Sequence, residues 1–71
     1  MQNLTAALDT FERMGYTAHD IQDECKTVQF TLKGETRVPR MLLSQVMGEQ
    51  FPEHIYAFAS TGNDTTVKII K

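Results

Sequence analysis

At Thr27 the hydrophobic period of this chain changes. Before it, Leu4, Ala7, Leu8, Phe11 and Met14 recur at three- and four-residue steps; from it, Val28, Phe30 and Leu32 alternate with Thr27, Gln29 and Thr31. The first spacing lines one side of an α-helix and the second lines one face of a β-strand, so the chain must combine both kinds of element. With 71 residues it must do so around one core, because a chain this short buries only about 60% of the surface its unfolded form exposes. The expectation is one α+β domain over residues 1–71, with helices laid on a sheet.

The first helix carries Thr5, Asp9, Glu12 and Arg13 on its polar side, with Asn3 as N-cap and Gly15 as the left-handed residue that closes it. Residues 16–25, YTAHDIQDEC, fit neither period cleanly. Thr17 and Asp20 form a weak capping box, and Ala18, Ile21 and Cys25 fall on one helical face. As a strand, the same segment changes phase between Ala18 and Ile21. The reading adopted is a turn with a short helix, with Cys25 as a small core residue.

Val28, Phe30 and Leu32 then mark a half-buried strand, Gly34 takes a positive φ at a Lys33-Gly34-Glu35 hairpin tip, and Thr36 and Val38 form a short return strand. Pro39 suits the first turn of a second helix over about 39–50, with Leu42, Leu43, Val46, Met47 and Phe51 on its apolar side and Pro52 ending it. Ile55 to Ala59 is apolar on both faces, as a central strand would be, and the turn signal TGND separates it from a last strand, Thr65 to Lys71. There Val67 and Ile69 share one face, and Thr66, Lys68 and Ile70 the other. The order is α-β-β-α-β-β: a small antiparallel sheet of three to four strands with both helices on one face.

Met14-Gly15-Tyr16 after an amphipathic helix resembles the helix–loop signature of ubiquitin-associated domains over three residues. Those domains are three-helix bundles, and the period of two from Thr27 excludes the family. Gly15 as a cap with Tyr16 packed beneath accounts for the triplet.

Several chemistries find no support. The chain has no GxxxxGK[ST] and no GxGxxG, and no two of its glycines are close together, so no phosphate-cradling loop is encoded. The only histidines and cysteine, His19, His54 and Cys25, lack the paired spacing of a zinc site. Asp23 and Glu24 beside Cys25 favour its neutral thiol, which argues against a nucleophile. No catalytic residue, metal or cofactor is assigned, and the chain is read as not an enzyme. One cysteine, no basic-then-apolar leader and no apolar run near the ~20 residues of a membrane helix point to a cytoplasmic protein away from membranes. The initiating methionine and the absence of a tag or linker suggest a complete chain.

Charge is unevenly spread. Residues 1–25 carry Asp9, Glu12, Asp20, Asp23 and Glu24 against Arg13 alone, while the rest carries more bases than acids and the whole has a net charge of −2. Charge asymmetry bears on partners. The leading expectation is a protein-interaction module, an inhibitor or adaptor, with Asp20, Asp23 and Glu24 meeting a basic partner and Tyr56, Phe58 and Ile70 forming an apolar contact. Apolar residues on a sheet face left bare by the helices would call for a homodimer or a heterologous partner. Small proteins without enzymatic motifs are frequent among phage- and plasmid-encoded inhibitors, and one that presents carboxylates in place of phosphates is a sharper form of this reading. The alternative is nucleic-acid binding through Lys33, Arg37 and Arg40, joined by Lys26, Lys68 and Lys71.

Overall fold

The computed structural model of the protein describes residues 2–70. Its elements are α1 (Gln2–Arg13), β1 (Thr17–Asp23), β2 (Thr27–Lys33), α2 (Arg40–Gln50), β3 (Ile55–Thr61) and β4 (Asp64–Ile70). The strands form one antiparallel sheet in the order β1-β2-β4-β3. The α-β-β-α-β-β order is the one expected from the sequence.

The core follows from the two periods. Cross-strand register sets Val28, Phe30 and Leu32 opposite Ile69, Val67 and Thr65, which in turn face Tyr56, Phe58 and Ser60 on the far side of β4. Against this face pack Leu4, Ala7 and Phe11 of α1, and Leu43, Val46, Met47 and the following Phe51 of α2. The rings of Phe11 and Phe30 meet at 6.4 Å between centroids, tilted by 49°. Each large side chain buried here contributes about 1.5–3 kcal/mol.

Gly15, with φ of 98°, closes α1 as expected. Tyr16 N–H donates to the Phe11 carbonyl and Gly15 N–H to the Glu12 carbonyl, both at 3.0 Å, the paired bonds of a Schellman cap. Asn3 is not the N-cap, because α1 already begins at Gln2. Its Nδ2 donates instead to the Gln50 carbonyl at 2.6 Å, tying α1 to the end of α2.

The first hairpin is built from other residues than those expected. Residues 17–23 are a strand rather than a short helix, and no strand forms at Thr36 and Val38. The phase change between Ala18 and Ile21 is a β-bulge: His19 faces Thr31 and Gln22 faces Gln29, so Asp20 and Ile21 together oppose Phe30. Asp20 absorbs the extra residue with φ of 54°, the one non-glycine residue with positive φ among those described. Asp tolerates this conformation better than most side chains. Cys25 consequently lies exposed in the β1–β2 turn, closed by Glu24 N–H donating to the Thr27 carbonyl at 2.8 Å, and is not a core residue.

Gly34 does not take a positive φ. Its lack of a side chain makes room for the ring of Tyr16. Residues 34–39 then run irregularly back over the sheet, where Arg37 Nε donates to the Gly62 carbonyl at 3.2 Å and Asn63 Nδ2 to the Glu35 carbonyl at 2.9 Å. Only Val38 of this segment's return-strand pair, Thr36 and Val38, reaches the core. Gly62, with φ of 61°, opens the two-residue β3–β4 turn, as the first position of a type II′ hairpin requires.

Candidate functional site

The sheet's two edges differ in kind. β1 carries the bulge, the left-handed Asp20 and a second carboxylate at Asp23. Irregularity and charge are the means by which natural sheets prevent a further strand from adding. β3, Ile55–Thr61, has no charged residue, no proline and no register shift along its seven residues. It was expected to be a central strand, but the centre is occupied by β2 and β4, and β3 lies at the edge. Its apolar character on both faces therefore has a different origin: Tyr56 and Phe58 face the helices, while Ile55, Ala57 and Ala59 are exposed on the open face.

A cleft of about 460 Å³ lies on the helix side of β3. Phe58 and Ser60 form one wall; Arg37, Val38, Pro39, Arg40 and Leu43, from the loop and the first turn of α2, form the other. The Ser60 hydroxyl reaches inward to Thr65 Oγ1, 3.4 Å away and fully buried. Arg37 is held by its bond to the Gly62 carbonyl, and among the described residues neither Arg37 nor Arg40 is in an ion pair. The helix start beside them is bare: Pro39 occupies the N-cap without a side-chain hydrogen bond, and no acidic residue lies in the first turn. Glu35 lines a separate cleft with Met14, Gly15, Tyr16 and Thr36 and, among the described residues, forms no ion pair with either arginine.

The residues expected to form an apolar contact are divided by the sheet. Tyr56 and Phe58, with ring centroids 5.5 Å apart, are half-buried against the core on the helix side. Ile70 is on the opposite face, 48% exposed and paired with Ile55, which is 71% exposed. The bare face around that pair is mainly polar, with Thr27, Gln29, Thr31, Thr66 and Lys68 on its central strands. Thr31 and Thr66 share a hydroxyl hydrogen bond of 3.3 Å across it. It is not the aromatic surface that the sequence suggested.

Asp20, Asp23 and Glu24 lie on β1 and its turn, three strand spacings or ~14 Å across the sheet from β3. The acidic candidates thus lie apart from the apolar ones, which are themselves divided between the two faces. His19 Nδ1 lies 3.1 Å from Asp20 Oδ2 on the same edge. Among the described residues no three of His, Cys, Asp and Glu gather as metal ligands would, and no helix is long and apolar enough to cross a membrane.

Of the basic candidates, Arg37 and Arg40 come together in the cleft. Lys33 instead closes β2 opposite Asp64, Lys26 lies in the turn at the other end of the sheet, and Lys68 stands on the open face. Lys71 lies outside the described residues. Ser60 and Leu43, which complete the cleft, were not singled out by their sequence, since neither a serine near a strand end nor a leucine on an apolar helix face is distinctive.

No protein-family model matches this chain, and no curated protein matches it in sequence.

Proposed function

We propose that this chain is a binding module, without catalytic chemistry of its own, that takes an extended segment of a protein partner onto the outer edge of β3. The observation that supports it is the asymmetry of the edges. A seven-residue edge strand with no charge, proline or bulge presents a row of backbone donors and acceptors to any extended chain. Strand addition of this kind draws affinity from main-chain hydrogen bonds and specificity from pockets for alternate side chains. The cleft beside Phe58 and Ser60 is such a pocket, and Tyr56 offers apolar surface one strand step further along. An inhibitor or adaptor of this size needs no more than one such edge. In this reading Phe58 contacts the partner from the wall of the cleft, with Tyr56 beside it.

The test is to select binders from an unbiased library of displayed extended peptides and to follow amide hydrogen exchange in the complexes. Protection gained at alternate amides along β3 supports the reading. Binders that protect β1 or the open sheet face, or a library that yields none, overturn it.

A further inference from the structure

The partner segment has a chemistry that the cleft defines, and this inference rests on the β3 reading above. Arg37 and Arg40 converge on one cavity, and neither has an acidic partner among the described residues. Arg40, moreover, sits at the start of α2, where the helix dipole is already positive and a cation is unfavourable. The helix is also left without a side-chain cap, so its first amides lack the oxygen that Ser, Asp or Asn would supply. Two guanidinium groups beside a bare helix start weaken the free protein and become favourable once an anion enters.

Arg37 is the better prepared of the two. Its Nε is committed to the Gly62 carbonyl, which limits the entropy lost when the remaining N–H groups engage a planar carboxylate in the fork geometry that arginine favours. The same cavity is walled by Val38, Leu43 and Phe58, which suits the methylene stem of an acidic side chain and its apolar neighbour. Along a strand, residues i and i+2 point to one face about 6.7 Å apart. A strand lying beside β3 therefore places one inward side chain near Ser60 and the arginines, and the next inward one beside Phe58 and Tyr56.

We infer that the β3 groove takes an extended protein segment of the pattern acidic–x–apolar, with the acidic carboxylate held by Arg37 and Arg40. A second copy of this chain fits less well, because its own β3 has no carboxylate to offer. Nucleic acid fits less well too, since Lys26 lies at the far end of the sheet, Lys68 stands on the open face and Lys33 is paired in register with Asp64.

The test uses capped heptapeptides that carry valine at one inward position and Glu, Gln, phosphoserine or Lys at the inward position two residues away, titrated by fluorescence anisotropy at low salt. The Glu peptide should bind at least about tenfold more tightly than the Gln peptide, as expected for charge-assisted hydrogen bonds. Arg40→Gln should shrink that difference by bringing Glu-peptide affinity towards that of the Gln peptide, and Arg37→Lys, which keeps the charge but loses the fork, should reduce it too. Equal affinity for Glu and Gln, with β3 amides protected by both, overturns the acidic pattern and leaves strand addition standing. No β3 protection by any peptide overturns both. Phosphoserine favoured over Glu by a large factor, arginine-dependent binding of a labelled dT12 oligonucleotide, or self-association that protects β3 without peptide each overturn the inference in favour of that other ligand.

Discussion

The ring of Tyr16 lies so close to Gly34 that a Cβ at residue 34 would stand 2.6 Å from Tyr16 Cδ1. Gly34→Ala should therefore cost about 1–3 kcal/mol in urea unfolding, the range for forcing a methyl into a packed site. Combined with Tyr16→Ala, the alanine at 34 should cost far less than it does alone. Simple additivity of the two changes would show that the ring is not what excludes the methyl group.

Gly15 presents the opposite case. A Cβ there meets nothing within 4 Å, but its φ of 98° lies where side-chain-bearing residues are strained. Gly15→Ala should lower stability by about 1–2 kcal/mol for conformational reasons alone, with Gly15→Asn costing less. Equal losses for Ala and Asn would point to a steric cause.

At Asp20, the bulge predicts a reversal of ordinary strand preference. Asp20→Gly should be neutral or stabilising, whereas Asp20→Val, a β-branched residue forced to φ of 54°, should cost about 1–3 kcal/mol. Because the bulge also protects the β1 edge, the valine variant should associate with rising concentration in sedimentation or light scattering. A valine variant that stayed monomeric and stable would remove the bulge from the account of that edge.

Cys25 lies exposed in the β1–β2 turn. Ellman's reagent should titrate it fully in the native protein without denaturant, and Cys25→Ser should change stability by no more than about 0.5 kcal/mol. A thiol that reacts only on unfolding would require residues 17–27 to adopt a different arrangement.

The two helices, β2 and β4 were legible because each has a single period bounded by a glycine or a proline. Gly15 was correctly placed for the same reason. β1 was not legible, since a bulge shifts the alternation by one residue, and Ala18 and Ile21 then read equally well as one face of a helix. Without that strand, the hairpin falls by sequence to Thr36 and Val38 and Gly34 to a turn conformation, whereas its task is to clear the Tyr16 ring. The edge position of β3 was hidden because apolar residues on both faces describe a central strand and an unprotected edge equally well. As for the cleft, Arg37 and Arg40 were visible as a basic pair, but their meeting with Phe58 and Ser60 depends on pairings some 18 to 23 residues apart in sequence.

The bulge at Asp20 has a consequence for assembly. If β3 takes a strand as proposed and the bulged edge does not, this sheet has a valence of one. Two copies meeting at β3 would exhaust each other's receptive sides and stop at a pair, and a foreign strand bound there would leave no second docking edge on this chain. On that reading, the bulge around Asp20 is part of what would keep such a clasp saturable rather than a template for fibres.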